Sequence, residues 1–128
     1  MFNLANIIRE TLKNKGYSVN IQGQKPKSGY MVALRGREVV VETSKPLSFI
    51  VETLQKFISD NQFDLNQSGH YLGTWIDNGK LYIDISFNYQ DLNVSIDMAY
   101  LSNQLSIYDI KEKRVISTTF ERVSDQTL

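Results

Sequence analysis

The sequence contains no cysteine, a single histidine and only two prolines in 128 residues. The lack of cysteine excludes disulfide bonds, cysteine zinc sites, iron–sulfur clusters and a thiol nucleophile. One histidine also excludes zinc sites that need two or three imidazole ligands. No uncharged apolar run approaches the roughly 18 residues of a membrane-spanning helix, and the first ten residues lack the basic and apolar regions of a signal peptide. We therefore expect a soluble protein of the cytoplasm.

The charges balance over the whole chain but not along it. Fourteen basic and fourteen acidic residues give a net charge of zero. Residues 1–45 contain eight bases and three acids, whereas residues 46–128 contain six bases and eleven acids. A basic amino-terminal part can attract phosphate groups or an acidic partner, and a mixed, merely solvated surface is the alternative.

Apolar residues recur with two different periods, which predict three helices and several strands. The predicted order is α-β-β-β-α-β-β-α-β-β, which indicates an α+β fold with a mainly antiparallel sheet. We expect a single domain over residues 1–123 and a loose tail over residues 124–128. The helices are expected over about residues 4–15, 47–58 and 92–102, and the strands over about residues 17–21, 30–34, 38–42, 70–77, 80–87, 105–110 and 115–119.

Several polar residues and glycines mark the expected ends of these elements. Asn3 and Asp91 are suited to begin the first and third helices, because their side chains can accept hydrogen bonds from free backbone N–H groups. Gly16 and Asn103 are suited to end those helices in the left-handed conformation. The segment Arg35-Gly36-Arg37 is expected to be a turn between two strands or, alternatively, a bulge at Gly36 within one long strand.

The stretch from His70 to Phe87 carries the strongest local pattern. Asn78-Gly79 lies between two alternating runs, and this dipeptide favours a type I′ hairpin turn because both positions need positive φ. The turn predicts which residues face each other, and the alternation then assigns side chains to two faces. One face carries Leu72, Ile76, Leu81, Ile83, Ile85 and Phe87, and the other carries Tyr71, Trp75, Tyr82, Asp84 and Ser86.

The second of these faces is the predicted contact surface. Trp75, Tyr82 and Tyr71 are expected to form a ladder of rings, with Asp84 and Ser86 as polar anchors. Gly73 is expected opposite Asp84, where it would leave a notch for a ligand or another backbone. Tryptophan and tyrosine are frequent anchors at interfaces and in small-molecule sites. The alternative is that a helix packs over these rings and makes them part of the core.

Patterns for catalysis and metal binding are weak. His70 is a candidate general base with Asp77 or Asp84 as its partner, but the hairpin points Asp84 to the other face and puts Asp77 at the opposite end. The aspartates do not follow the spacing of a calcium loop, and no glycine-rich stretch has the ending of a phosphate loop. We therefore predict a protein that is not an enzyme and holds no cofactor or metal.

Bases in two predicted loops offer an alternative binding site. Together with nearby tyrosines they have the composition of sites that hold phosphorylated ligands or a nucleic-acid backbone. A small phosphorylated ligand and a nucleic acid are thus two alternative partners. The bases are Lys25, Lys27, Arg35 and Arg37.

Three motifs follow one another along residues 29–110. Gly73-Thr74-Trp75-Ile76-Asp77 precedes Tyr82-Ile83-Asp84, and residues 103–109 read Asn-Gln-Leu-Ser-Ile-Tyr-Asp. With Gly29-Tyr30-Met31-Val32 upstream, they resemble small uncharacterised proteins carried by tailed phages and other mobile elements. The resemblance implies an accessory protein that is expressed in a bacterial cytoplasm, with interference in a host defence as its natural role.

These observations predict a small non-enzymatic binding protein that acts by occupying a host protein. The alternatives are a sponge for a phosphorylated, nucleotide-like molecule and a nucleic-acid-binding accessory protein. A homodimer is compatible with the sequence. The predicted contact residues are Tyr71, Trp75, Tyr82 and Asp84, with Arg35 and Arg37 as secondary candidates.

Overall fold

One antiparallel sheet of seven strands, with four helices, makes up the computed structural model, which describes residues 1–118. The strand order in the sheet is β1-β4-β5-β2-β6-β7, and β3 pairs with β5 beside β2. The elements are α1 (Leu4–Asn14), β1 (Gly16–Val19), β2 (Tyr30–Ala33), β3 (Val39–Glu42), α2 (Leu47–Asp60), α3 (Gln62–Leu65), β4 (His70–Asp77), β5 (Lys80–Tyr89), α4 (Leu92–Leu101), β6 (Ser106–Asp109) and β7 (Arg114–Ser117).

The α+β class and the predicted order of elements are confirmed, with one addition. The short helix α3 lies in a polar segment without an apolar period, and the sequence does not predict it. Its last residue, Leu65, is buried in the core, so tertiary packing rather than an amphipathic pattern explains this turn of helix. The predicted domain end at residue 123 and the tail over residues 124–128 lie outside the described residues. No helix within residues 1–118 is long and apolar enough to cross a membrane.

The predicted starts of two helices are confirmed in atomic detail. The Asn3 side chain accepts a hydrogen bond from the backbone N–H of Asn6, and the Asp91 side chain accepts one from that of Val94. Each bond satisfies one of the N–H groups that a helix leaves free in its first turn. At the other end of α4, Asn103 has the predicted positive φ, 58°.

The prediction that Gly16 ends α1 is wrong by one residue. Lys15 takes the left-handed conformation, with φ 65°, and Gly16 is already the first residue of β1. The reason is tertiary: the carbonyl oxygen of Lys15 accepts a hydrogen bond from the backbone N–H of Ile76 in β4. The chain must therefore reverse one residue earlier to enter the sheet beside β4.

The long strand β5 is the centre of the sheet. Along one edge it pairs with β4, and along the other it pairs first with β3 and then with β2. Because Val39 lies opposite Ile83 and Leu34 donates its backbone N–H to Ile85, the three residues 35–37 are extruded between two strands that follow the same neighbour. The arrangement combines both predicted alternatives, a turn and a bulge at Gly36.

The four helices of the described residues lie on one face of the sheet. Leu54 and Phe57 of α2 and Ile7 of α1 pack with the inward side chains of β4 and β5, and α4 covers β2 and β6. Burying these large apolar side chains stabilises the fold by about 1.5–3 kcal/mol each. The hairpin residues predicted to face the core belong to this face; Leu72, Leu81, Ile83 and Ile85 are buried, and Ile76 and Phe87 are partly buried.

Candidate functional site

The hairpin of β4 and β5 has the predicted turn and register. Asn78 and Gly79 have φ values of 51° and 74°, which are the positive angles that a type I′ turn requires. Trp75 lies opposite Tyr82, and Gly73 lies opposite Asp84. This register turns those four residues away from the helices. We call the surface that they form, together with its neighbours on β3, the helix-free face, because none of the helices within residues 1–118 packs on it.

Two aromatic rings are stacked on the helix-free face. The ring centroids of Trp75 and Tyr82 are 4.6 Å apart, and the ring planes differ by 22°. Trp75 remains 43% exposed, and no helix within the described part of the chain packs over the pair. The structure therefore places the predicted tryptophan at the surface and not in the core.

An exposed valine extends this pair to a third strand. Val40 lies opposite Tyr82 and is 46% exposed. Trp75, Tyr82 and Val40 thus form one row across β4, β5 and β3, which we call the aromatic row. Val40 was not among the predicted contact residues, because the sequence does not indicate that β3 pairs with β5.

The predicted ladder is shorter than expected, because Tyr71 does not join it. Tyr71 lies on the same face of β4, opposite the buried Ser86. It is four positions away from Trp75 in the sequence, which corresponds to about 13 Å along a strand. Among the ring contacts of the described residues, none involves Tyr71. Gly73 and Asp84 lie between the two aromatic groups.

The predicted notch at Gly73 is not open. A methyl group at this position would overlap the Asp84 carboxylate, so the carboxylate occupies the space that the missing side chain leaves. The pattern correctly placed glycine opposite aspartate, but the side-chain conformation of Asp84 decided what fills the gap. Glycine is needed at position 73 because the Asp84 side chain approaches the backbone closely. Backbone conformation is not the reason, since the φ of Gly73 is not positive.

Asp84 is the most perturbed acid of the helix-free face. Burial, and to a lesser extent the charge of Glu38, raises the pKa of its carboxyl group from 3.8 to about 7. No hydrogen bond or salt bridge within residues 1–118 involves this carboxylate. A partly buried carboxylate without a donor favours its protonated form, because water solvates the charge poorly and no partner compensates.

A recess of about 290 Å³ opens beside Asp84, at the point where the extruded residues 35–37 separate β2 from β3 along β5. Glu38 lies at its rim directly before β3, in line with Asp84 across the strands. Neither Glu38 nor Gln104 was among the predicted site residues, since only the pairing of β3 with β5 and the return of the chain after α4 bring them here. Within residues 1–118, the recess is lined by Ala33, Leu34, Gly36, Glu38, Asp84 and Gln104.

The basic candidates do not form one cluster. Arg37 forms a salt bridge with Asp64 and donates a hydrogen bond of 2.8 Å to the Asn61 side chain, so it is engaged with the helices. The Lys25 ammonium lies 5.8 Å from the ring centre of Tyr17 on β1, and two strands separate β1 from β3. Arg35 is exposed in the extruded segment.

His70 has structural contacts only, within the described residues. Its ring lies edge-on against Phe87 at 5.0 Å, and Nδ1 is 3.1 Å from the carbonyl oxygen of Ser68. The side chain of Asp84 points to the other face, as the register predicts. No group of three or more acidic or histidine side chains in residues 1–118 is arranged to hold a metal ion.

The chain was compared with protein-family models, curated proteins and solved structures, and no match was found in any of the three. The resemblance to phage proteins stays a prediction.

Proposed function

We propose that this chain is a non-enzymatic binding protein that occupies a partner protein with its helix-free face. Trp75 and Tyr82 would be the central anchors, and Asp84 would be the polar contact beside them. The resemblance to phage and mobile-element proteins favours a protein of the bacterial host as the partner, with interference in a host defence as the biological role.

The single observation that carries this proposal is the exposed ring stack. Trp75 keeps 43% of its surface exposed, although it is the only tryptophan of the chain. Because Tyr82 already holds its ring in one orientation, little side-chain freedom remains to be lost on binding. Exposed tryptophan and tyrosine residues often contribute most to the affinity of protein interfaces. Replacing such a residue with alanine often costs about 2 kcal/mol or more of binding free energy.

The charges favour a protein over a phosphorylated ligand or a nucleic acid. On the helix-free face, strands β3 to β5 carry the acids Glu42, Asp77 and Asp84 and one base, Lys80, and a fourth acid, Glu38, lies directly before β3. Carboxylates at this density repel phosphate groups, whose binding depends on lysine and arginine. The candidate bases of the loops do not converge, so they offer no compensating site.

A capture experiment with the full chain tests the proposal. Wild type, Trp75→Ala and Phe63→Ala would be immobilised and exposed to bacterial lysate, and the captured proteins would be compared. Phe63 is the matched control because it is an aromatic residue, 77% exposed, on α3 at the helical side. We expect wild type and Phe63→Ala to retain the same protein and Trp75→Ala to lose it.

Three results would overturn the proposal. One is equal capture by Trp75→Ala and wild type. Another is a rise in melting temperature with nucleotides that Arg35→Ala abolishes, which would favour the phosphorylated ligand. The third is retention on heparin that falls steeply with salt, which would favour nucleic acid.

A further inference from the structure

We propose that the partner presents an arginine side chain to the recess between Glu38 and Asp84, next to the aromatic row. This inference rests on the proposed function and specifies the chemistry of the partner at that face. The partner segment that fits this site is basic and has apolar residues beside the arginine.

Three consecutive rows of residues on the helix-free face differ in charge. The middle row is apolar and consists of Trp75, Tyr82 and Val40. On one side of it lies the row of Gly73, Asp84 and Glu38, and on the other side lie Asp77, Lys80 and Glu42. An apolar strip with acids on both sides is complementary to an apolar segment that carries positive charge.

The Asp84 carboxylate identifies where that charge would bind. Residue Asp84 lines the recess and is partly buried, and its carboxylate takes part in no hydrogen bond or salt bridge within the described chain. Glu38 adds a second negative charge at the rim. The pKa of Asp84 is raised by the burial of its carboxyl group and by the negative charge of Glu38. A cation that contacts both Asp84 and Glu38 would compensate both of these causes.

Geometry favours arginine over lysine as that cation. A guanidinium group is planar and has five N–H donors, so it can bond two carboxylates at once, whereas an ammonium group acts as a point charge. Tyr82 precedes Asp84 by two residues on the same face, which is about 7 Å along a strand. An arginine bound at Asp84 therefore lies within reach of the ring stack, on which guanidinium groups pack well.

The test uses the full ¹⁵N-labelled chain and three short peptides. The probe is acetyl-Gly-Arg-Gly-amide, and the same peptide with citrulline or lysine in place of arginine serves for comparison. Because the chain has one tryptophan, its indole N–H signal is unambiguous. We expect saturable shifts of the Trp75 indole and the Gly73 amide with the arginine peptide, weaker shifts with lysine, and none with the neutral citrulline at the same concentration.

Variants locate the binding charge. Glu38→Gln and Asp84→Asn should each weaken binding of the arginine peptide by about tenfold, because each removes one of the two carboxylates that the guanidinium group would bond. Asp77→Asn is the matched control, an exposed carboxylate on the other side of the aromatic row, and should leave the affinity within about twofold. Equal shifts with citrulline, equal affinity for lysine, or equal weakening by Asp77→Asn would each overturn the inference.

The capture assay separates this inference from the proposed function. If the partner is lost with Trp75→Ala but retained with both Glu38→Gln and Asp84→Asn, the inference fails and the proposed function stands. If Trp75→Ala also retains the partner, the proposed function itself fails.

Discussion

Replacing Asp84 with asparagine should make the protein more stable at neutral and alkaline pH. The folded chain holds a proton on Asp84 up to a pKa of about 7, whereas an unfolded chain releases it near 3.8. The wild type should therefore lose stability as the pH rises from about 4 to about 7, and the loss should level off above that range. At about 1.4 kcal/mol for each pH unit, the full effect is at most about 4 kcal/mol. Asparagine carries no titrating group and avoids this loss.

Urea unfolding of wild type and Asp84→Asn across this pH range measures the effect. The difference in free energy of unfolding should be small near pH 4 and should grow to about 2–4 kcal/mol in favour of the variant above pH 7. Asp77→Asn, at an exposed position of the same hairpin, should keep the pH dependence of the wild type. A difference that stays within about 0.5 kcal/mol at every pH would refute the reasoning, because the carboxylate would then be well solvated or compensated in the folded protein.

Three further substitutions, one of them with a surface control, test the hairpin, the core and the ring stack by their effects on the free energy of unfolding. Gly79→Ala should cost about 1–2 kcal/mol, since φ is 74° there and no atom crowds an added methyl group; no change would contradict the type I′ turn. Leu54→Ala should cost about 2–5 kcal/mol, whereas Leu12→Ala, at a position 59% exposed, should cost under about 0.5 kcal/mol; equal costs would contradict the core assignment. Trp75→Ala should cost about 0.5–1.5 kcal/mol for the lost stack with Tyr82 and shift the melting temperature by a few degrees; loss of the fold would instead make Trp75 a core residue.

Local interactions explain why the hairpin of the candidate site was predictable. The Asn78-Gly79 turn involves neighbouring residues, and its geometry sets the pairing of every residue along β4 and β5. Alternation then assigns the faces, because successive side chains of a strand point to opposite sides. The pairing of Trp75 with Tyr82 and of Gly73 with Asp84 followed from the sequence for this reason.

Non-local pairing explains why the rest of the site was missed. Glu38 and Val40 reach the helix-free face only because β3 pairs with β5, which lies about forty residues later in the chain. No local pattern indicates this pairing, and a slip of one residue would have turned Val40 and Glu38 to the opposite face. The three extruded residues 35–37 set the register of β3 with β5. The sequence predicts only a turn at this segment, and such a turn is compatible with several registers.

The sequence by itself determined the α+β class, the order of the main elements, the hairpin register and the division of its side chains between two faces. Each of these follows from periodicity or from a turn between adjacent residues. Only the tertiary structure decided that the four helices of residues 1–118 cover the same face, that the Asp84 carboxylate fills the space at Gly73, and that burial and, to a lesser extent, Glu38 raise the pKa of Asp84. Those features depend on which distant segments pack together, and the free energy of that packing is not encoded in any local stretch of the chain.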